Sequence, residues 1–352
     1  MSFARRTLGN TSERVSAIGL GCMTMSPVFD QAVDDDQSVE TLNRALDLGI
    51  NFWDTANIYG GGHNEQLISR VLKHRRKEVF LCTKFGCYFD MQKQQLGVSG
   101  KPEVVKKACQ ESLERLGTDY IDLYYLHRVD PEVPIEETVA AMAELVKEGK
   151  VRYLGISECS AETLRRAHKV HPIAAVQMEY SPWSTDIEKN GMLDTCRELG
   201  VSVVTYSPLG QGFLTGTIKS PQDLDPNDFR HNQPRFQEEN FQHNLKLAEK
   251  FQEIAKKKNC TAAQLCIAWA LAQVCHSLPA FLAKLWAETL SLQDDLIIPI
   301  PGTRRISRLE ENSEAANVKL NQFELDEIRQ YIDNSKLSGE RAFSHLLQMS
   351  GY

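Results

Sequence analysis

Four polar side chains that could share one chemical task follow short apolar segments in the N-terminal half of the chain. Asp54 ends the string NFWD, Lys84 ends VFLCTK and His127 ends IDLYYLH. Tyr59 lies five residues after Asp54, in the segment that leaves the first of these strings. Taken singly, such residues are often helix caps, solvated charges or satisfied hydrogen-bond partners. Three of them at consecutive predicted strand ends, with a tyrosine nearby, favour a joint catalytic role.

These side-chain types match the needs of carbonyl reduction, which requires a hydride donor and a proton donor to the oxygen. A tyrosine hydroxyl has a reference pKa near 10, and an adjacent ammonium lowers it at about 1.4 kcal/mol per unit. Lys84 would have that effect on Tyr59, while Asp54 would keep Lys84 charged and oriented. His127 would donate a hydrogen bond to the carbonyl oxygen and place the substrate. This chemistry needs no metal, and we expect none.

The elements that would position these residues alternate along the chain. Short apolar segments predict strands at 15–20, 52–54, 79–83, 121–126, 151–156, 174–178, 201–206 and 296–299. Amphipathic patterns predict helices at 38–48, 65–72, 104–116, 135–147, 161–170, 192–199, 245–257, 261–272 and 307–315. Eight such units predict a closed (β/α)8 TIM barrel, with an open parallel sheet as the alternative. No G-x-G-x-x-G string follows the first predicted strand, which disfavours a Rossmann fold.

Two additions frame the predicted barrel. The string RRTLGNTSERVSAIGLG contains a polar turn and predicts an N-terminal β-hairpin that plugs the bottom of the barrel. Residues 321–334 predict a further C-terminal helix beyond the eighth unit. No linker divides the chain, and TIM barrels routinely exceed 250 residues as one unit. We therefore expect residues 1–352 to form a single domain with its active site at the C-terminal ends of the strands.

Composition excludes several classes of partner and cellular context. The chain has 352 residues, a formal net charge of −7 and no long basic run, so neither nucleic acid nor an anionic membrane is an expected partner. Nine scattered cysteines without a C-x-x-C pair disfavour a disulfide framework or a zinc site and favour a reducing compartment. The N-terminus lacks a signal-type apolar stretch, and no apolar run approaches membrane-spanning length. We expect a cytoplasmic protein; its oligomeric state is left open.

Longer strings resemble the aldo-keto reductase superfamily. NFWDTANIYGGGHNEQLISRVL resembles its signature, in which a strand-end Asp is followed by Tyr. The strings LCTKFG, DLYYLHRVD, GKVRYLGISECS, VQMEYSPW, TYSPLGQGFLTG and IIPIPGTRR resemble it in the same order and at similar spacing, over nearly the whole chain. The resemblance is nearest to the branch that includes microbial and plant aldo-keto reductases and potassium-channel β subunits. It implies a TIM barrel, NADP(H), and reversible reduction of an aldehyde or ketone with Tyr59 as general acid/base.

The resemblance also implies a cofactor site along the later strand ends. Ser157 and Gln177 would bind the nicotinamide amide, and Tyr206 would stack on the nicotinamide ring. The family often has Asn after that Ser, but this chain has Glu158, which puts that hydrogen bond in doubt. Residues that would meet the pyrophosphate with their backbone N–H groups are Ser207, Leu209 and Gln211. Residues that match the adenosine end are Gly302, Thr303, Arg304, Arg308, Glu311 and Asn312.

Two features of this implied site concern specificity. Arg304 or Arg308 beside a 2′-phosphate would give the bidentate contact that favours NADPH over NADH, although both could simply be solvated at a helix start. Five aromatic residues could line an apolar substrate pocket: Trp53, Tyr88, Phe89, Trp183 and Phe213. Trp53 has an equally good alternative as a core residue. The expected partner is a small-molecule carbonyl compound whose identity the sequence leaves open.

Residues 274–293, VCHSLPAFLAKLWAETLSLQ, depart from the family pattern. Relatives of this type usually pass from a helix resembling CIAWALAQ almost directly into a strand resembling DDLIIPIPGT. One interpretation is a retained short intron, because Val-Cys and Leu-Gln codons are compatible with splice signals at the two ends. The other is a genuine insertion that forms a short helix. If it is translated, its apolar side chains would favour aggregation or a partner site.

Two alternatives to an enzyme of this family stay open. The channel β subunits suggest a regulatory cofactor-binding subunit with little or no catalysis, and an intact set of four residues does not exclude it. A barrel enzyme of other chemistry, such as a phosphate-ester lyase, would use Lys84 as a Schiff base or need a metal. The pairing of Lys84 with Tyr59 disfavours that second alternative.

Overall fold

Eight parallel strands, each followed by a helical segment, form the central sheet. The computed structural model describes residues 3–27, 33–90, 95–273 and 296–341. In chain order the strands are β1 (Arg5–Thr7), β2 (Arg14–Ser16), β3 (Leu20–Gly21), β4 (Phe52–Asp54), β5 (Phe80–Phe85), β6 (Cys87–Asp90), β7 (Gln95–Val98), β8 (Ile121–Leu126), β9 (Val151–Ser157), β10 (Ile173–Glu179), β11 (Ser202–Tyr206) and β12 (Ile297–Pro299). The sheet has the order β3-β4-β5-β8-β9-β10-β11-β12, and every neighbouring pair is parallel.

The two edges of this sheet meet, so that it closes on itself. The N–H of Gly19 donates to the carbonyl of Pro299 (2.9 Å), and the N–H of Gly21 donates to that of Pro301 (3.3 Å). Gly21 also forms a parallel bridge with Gly302. A Cβ atom on Gly21 would lie 2.8 Å from the carbonyl oxygen of Ile300, so the close approach of these two edges depends on glycine. The predicted TIM barrel is confirmed.

Helices surround the barrel and shield its outer face. They are α1 (Asp35–Asp47), α2 (His63–Arg75), α3 (Pro102–Leu116), α4 (Ile135–Lys147), α5 (Ala161–Val170), α6 (Met192–Leu199), α7 (Glu238–Lys257), α8 (Ala262–Leu271), α9 (Ile306–Glu314) and α10 (Gln322–Asn334). Local signals set their ends: the side chain of Ser160 caps α5, and Gly117 and Gly200 end α3 and α6 in the left-handed conformation. The predicted extra C-terminal helix is α10.

An antiparallel hairpin, β1–β2, closes the bottom of the barrel. Its residues Leu8 and Val15 are fully buried and belong to the same interior cluster as Ala174 at the start of β10. The expected plug is therefore present. One predicted boundary is wrong: residues 15–20 are two strands, not one. The side chains of Ser16 and Asn51 hydrogen-bond to each other's backbone, which ends β2 before the chain enters the barrel as β3.

Two other elements differ from the sequence prediction. A second hairpin, β6–β7, follows β5 directly and was not predicted, because its four-residue strands resemble an irregular loop. Helix α7 begins at Glu238, before the apolar repeat that predicted a start at 245. The unusual segment 274–293 lies outside the described residues. Among the helices of the described part, none combines the length and the apolar character that crossing a bilayer requires.

Barrel closure gives a direct stability prediction. We expect Gly21→Ala to lower the free energy of unfolding by about 1–3 kcal/mol, because the added methyl group would collide with backbone rather than with a side chain that can move. Urea denaturation measures the difference. The control Gln66→Ala, on the exposed face of α2, should change the value by less than about 0.5 kcal/mol. Equal values for the two variants would contradict this account of closure.

Candidate active site

The four residues that the sequence singled out converge at the C-terminal mouth of the barrel. Lys84 Nζ donates to a carboxylate oxygen of Asp54 and, at 3.3 Å, to the phenol oxygen of Tyr59. The rings of Tyr59 and His127 meet edge to face, with centroids 5.9 Å apart and planes at 84°. Carboxylate, ammonium, phenol and imidazole therefore form one continuous group.

The period-two alternation of strands explains this convergence. Side chains two positions apart on a strand point to the same face. Residues that fill the barrel interior are Phe52, Cys82, Tyr125, Ala175 and Val204. Each precedes a candidate site residue by two positions, and those residues are Asp54, Lys84, His127, Gln177 and Tyr206. The packing that forms the barrel interior thus also aims these polar groups inward at its mouth.

Lys84 is fully buried, and all of its donor capacity is used. Besides Asp54 and Tyr59, its ammonium donates to the carbonyl oxygen of Thr55 (2.8 Å). The second carboxylate oxygen of Asp54 accepts from Gln177 Nε2 (2.7 Å). A buried charge is tolerated only when it is paired and hydrogen-bonded. This network meets that condition for both members of the ion pair.

Electrostatics keep the lysine charged and the tyrosine protonated. Burial alone would lower the pKa of Lys84, but the Asp54 carboxylate and Tyr59 outweigh it, and the pKa is raised. Burial raises the pKa of Asp54, and the charge of Lys84 opposes that rise. Burial likewise raises the pKa of Tyr59, with Lys84 acting in the opposite direction. Lys84 acts to lower the pKa of Tyr59, as the sequence predicted, but the rise in pKa that desolvation of the phenol causes is larger.

His127 is set up as a neutral imidazole. Burial, and then the positive charges of Arg128 and Lys84, hold its pKa well below the usual range. A neutral ring has one N–H donor and one acceptor nitrogen. Its Nδ1 atom is buried and has no hydrogen-bond partner among the described residues. Near neutral pH this side chain can donate one hydrogen bond without carrying charge.

The residues predicted to contact nicotinamide lie at three neighbouring strand ends. Ser157 ends β9, Gln177 lies near the end of β10 and Tyr206 ends β11. Gln177 is held by Asp54, as described above, and Ser157 Oγ accepts from Arg128 Nη1 (3.3 Å). Tyr206 is half-buried. The structure therefore brings these three side chains to the same rim as the four catalytic candidates.

The loop after β11 has the backbone of an anion-binding nest. Ser207, Gly210, Gln211 and Gly212 all have positive φ, between 50° and 90°. Within the described part of the chain, the N–H groups of Leu209 and Gln211 have no hydrogen-bond acceptor. The buried side-chain oxygen of Gln211 also has no partner there. Successive backbone N–H groups in such conformations suit a phosphate, so this loop fits the pyrophosphate of a dinucleotide.

The residues matched to the adenosine end follow β12. Gly302 lies at the closure of the barrel, and Thr303 is buried, with its hydroxyl accepting from the backbone of Arg305 (3.1 Å). Asn312 is buried on α9, whereas the backbone of Glu311 accepts from Gln264 (3.2 Å). Among the described residues, no carboxylate forms an ion pair with the side chain of Arg304 or Arg308, so these two charges are available to an anionic ligand.

The structure places the five predicted pocket residues in three different settings. Tyr88 and Phe89 lie on the β6–β7 hairpin at the mouth and are about half exposed, at 48% and 52%. Trp53 points away from Asp54 into the helix-facing core, as alternation requires, so its assignment to the pocket is corrected. Trp183 and Phe213 stack at 4.4 Å and are buried in an aromatic cluster with Phe236 and Phe241.

Comparison with known proteins identifies the family. A sequence model described as the aldo/keto reductase family matches residues 17–333. This chain belongs to that family. It is 44% identical over 345 residues to an aldo-keto reductase of Schizosaccharomyces pombe whose name includes NADP(+), covering 97% of this chain and 95% of that one. It is 47% identical over 336 residues to an aldo-keto reductase of Strobilurus tenacellus, covering 93% and 92%.

Solved structures of other aldo-keto reductases share the fold of this one. A glycerol dehydrogenase from Gluconobacter oxydans superposes with a TM-score of 0.81 at 25% identity, covering 97% of this chain and 98% of that one. The holo form of an aldo-keto reductase from Bacillus halodurans gives 0.73 at 26% identity, covering 98% and 99%. A thermostable aldo-keto reductase with the inhibitor epalrestat gives 0.71 at 29% identity, covering 94% and 100%.

Sequence reasoning missed three charged residues of this aldo-keto reductase that lie at the mouth. Arg128 directly follows His127, so its position was a signal that could have been used. Glu158 was noted only as a departure from the family pattern, and the structure makes it the acceptor for Tyr206 and for Arg341. Arg341 lies beyond α10, the last helix of the described part, where no local pattern signals a role. Within the described residues, no three His, Cys, Asp or Glu side chains cluster as metal ligands would.

The environment of His127 predicts a pH effect on the stability of this aldo-keto reductase. An unfolded histidine titrates near 6.5. As the pH falls through that value, the unfolded chain takes up a proton that folded His127 does not, so stability decreases. His127→Gln keeps a hydrogen-bond donor and removes the titration. Between pH 7 and pH 5 the wild type should therefore lose more unfolding free energy than this variant, by up to about 2 kcal/mol.

Urea denaturation at the two pH values gives the comparison. His74→Gln removes an exposed histidine of α2 and serves as the matched control, which should behave as the wild type does. A loss in His127→Gln as large as in the wild type would show that the folded imidazole takes up its proton normally.

Proposed function

We propose that this aldo-keto reductase uses NADPH to reduce an aldehyde or ketone to the alcohol, reversibly, with Tyr59 as general acid/base. The observation that carries the proposal is the 3.3 Å contact between Lys84 Nζ and the phenol oxygen of Tyr59, beside Asp54 and His127. The name of the Schizosaccharomyces pombe relative supports NADP(H) as the cofactor. When bound, NADPH supplies the hydride.

The four side chains divide the work at the carbonyl oxygen. Tyr59 gives its proton to that oxygen as negative charge develops there. Lys84 stabilises the phenolate that is left, because its ammonium already contacts the phenol oxygen. Asp54 keeps the ammonium charged and fixed in place. His127, as a neutral donor, holds the carbonyl oxygen in line with the phenol. In the oxidative direction Tyr59 takes the proton back.

Residues from three strand ends and two loops hold the cofactor in this proposal. Gln177 and Ser157 would bind the amide of the nicotinamide, and Tyr206 would stack on the face of the ring. The positive-φ loop at 207–212 suits the pyrophosphate, and Arg304 with Arg308 suits the 2′-phosphate. Gln177 also donates to Asp54 (2.7 Å), so it would link the nicotinamide site directly to the catalytic ion pair.

The proposed substrate is a small carbonyl compound with an apolar portion. The side chains of Tyr88 and Phe89 are half exposed on the β6–β7 hairpin, which begins at Cys87, three residues after Lys84. Half-exposed aromatic rings at a mouth offer a wall for an apolar substituent. All eight described cysteines are unpaired, which supports a reducing compartment, and we propose the cytoplasm.

Removing the tyrosine hydroxyl tests the catalytic assignment. We expect Tyr59→Phe to reduce the turnover of aromatic aldehydes by about 100- to 10,000-fold. Turnover is measured as the rate of NADPH oxidation. Binding of NADP⁺ should change by less than about twofold, because the hydroxyl acts on the substrate oxygen. The matched control is Tyr153→Phe, whose hydroxyl contacts Glu13 at the other end of the barrel (3.2 Å) and should not affect turnover. Equal turnover in wild type and Tyr59→Phe would remove Tyr59 from the mechanism. A wild type that binds NADPH without any turnover would favour a regulatory subunit instead.

The two arginines after β12 predict the choice between the nicotinamide cofactors. We expect Arg304→Gln, Arg308→Gln or both to weaken NADPH binding by about 10- to 100-fold while leaving NADH binding unchanged, because only NADPH carries the 2′-phosphate. The dissociation constants of both cofactors give the ratio. The charge-matched control is Arg166→Gln on α5, which removes an exposed arginine that pairs with Glu136 of α4. Losses of the same size for NADPH and NADH would contradict recognition of that phosphate.

A further inference from the structure

A buried cluster of charges joins three strand ends to the end of the described chain. We define the C-terminal strap as residues 335–341, which follow α10. Arg341 at its end forms a bidentate ion pair with Glu158, in which Nη2 lies 2.6 Å from Oε2 and Nη1 3.3 Å from Oε1. Its Nη1 also contacts Glu179 Oε2 (3.1 Å). Only 1% of Glu158 and 9% of Glu179 is exposed, so this pairing takes place away from water.

Glu158 connects the ends of β9, β10 and β11 through one carboxylate. It directly follows β9, and its Oε1 accepts from the backbone N–H of Glu179, the last residue of β10 (3.0 Å). The same oxygen accepts from the hydroxyl of Tyr206, the last residue of β11 (2.9 Å). Glu158 itself has a positive φ of 50°, an uncommon conformation for a side chain of this kind. Such a conformation persists where surrounding contacts fix it.

These contacts occupy the Oε1 oxygen of Glu158 fully, and Oε2 is already bound to Arg341. Oε1 already accepts from Glu179, Tyr206 and Arg341, whereas a carboxylate oxygen offers about two lone pairs. The residue is therefore not a simple replacement for the amide that relatives often have at this position.

We propose that Glu158 is a positioning residue that fixes the ring of Tyr206 for stacking on the nicotinamide, and that Arg341 of the C-terminal strap holds Glu158 in place. Tyr206 is half-buried at the C-terminal end of β11, so its hydroxyl is anchored while part of the residue stays exposed. An aromatic ring that is fixed before the ligand arrives loses less rotational freedom on binding. The proposal rests on the proposed function, because it assumes that nicotinamide occupies this rim.

The strap is bound to α7 along its own length, and these contacts position Arg341 next to Glu158. Ser338 and Asn244 of α7 exchange two hydrogen bonds, each of 2.9 Å, between side chain and backbone. His243, also on α7, contacts the carbonyl of Lys336. Gly339 has a φ of 84°, and a Cβ there would lie 2.8 Å from the backbone of Pro234. The strap thus crosses α7 on a fixed path to the strand ends.

Four variants test this arrangement. Glu158→Gln keeps the shape and removes the charge, Arg341→Met removes the cation, and Arg341→Lys restores it. Tyr206→Phe removes only the hydroxyl that Glu158 holds. The control is Glu340→Gln, an exposed neighbour on the strap. The measurements are the dissociation constant of NADP⁺ by fluorescence titration, kcat and KM for an aromatic aldehyde, and the melting temperature without cofactor.

We expect Glu158→Gln and Arg341→Met each to raise the Kd for NADP⁺ about tenfold, with kcat reduced and the aldehyde KM nearly unchanged. Arg341→Lys should recover most of the affinity. In the Tyr206→Phe background, Glu158→Gln should have little further effect, because the two changes break the same contact. A lower melting temperature with an unchanged Kd, or additive effects in the double variant, would overturn the proposal.

Amide hydrogen exchange gives a readout that does not depend on turnover. Because coupling between two sites is reciprocal, NADP⁺ should slow exchange in the strap of the wild type but not in that of Glu158→Gln. Unchanged exchange in the wild type would count against the coupling. A wild type that binds no NADP⁺ at all would instead refute the proposed function, whereas equally tight binding by wild type and variants would refute only the role of Glu158 and Arg341.

Discussion

The structure depends most on the need to compensate one ammonium group inside the mouth of the barrel. Lys84 is fully buried, and a lone charge there would cost several kcal/mol of desolvation. Asp54, the carbonyl of Thr55 and the phenol of Tyr59 together satisfy it. The contacts that make this charge tolerable are the same ones that define the candidate catalytic group. Stability of the mouth and the proposed chemistry therefore rest on the same atoms.

The same principle operates a second time on the opposite side of the mouth. Two carboxylates, Glu158 and Glu179, are buried next to each other, and Arg341 from the end of the described chain lies between them. Burial raises the pKa of Glu179, whereas Arg341 and Arg128 outweigh burial at Glu158 and lower its pKa. Gln177 is hydrogen-bonded to Asp54 of the first cluster, and Tyr206 is hydrogen-bonded to Glu158 of the second. These two residues lie on the neighbouring strands β10 and β11. The proposed nicotinamide site lies where they meet.

Loops supply what the rigid strands do not. In the loop after β11, Ser207 and residues 210–212 have positive φ, and the N–H groups of Leu209 and Gln211 have no acceptor among the described residues. The β6–β7 hairpin holds Tyr88 and Phe89 at the rim with half of their surface exposed. Trp183 and Phe213, by contrast, are buried by Phe236 and Phe241, because a stacked aromatic cluster buries more apolar surface than a rim position would. The sequence therefore predicted the positions of the strand-end residues together, but not those of the aromatic residues in the loops.

The sequence by itself determined the barrel and the inward direction of Asp54, Lys84 and His127, because period-two alternation is a local property of a strand. The same alternation made a core position the alternative for Trp53. Its family strings also located the cofactor residues along the later strand ends. Only the tertiary structure decided that residues 15–20 divide between a hairpin and the barrel, that burial outweighs Lys84 in setting the pKa of Tyr59, and that Arg341 reaches Glu158 across 183 positions of chain. Those outcomes depend on desolvation and on contacts between distant segments, which no local pattern encodes.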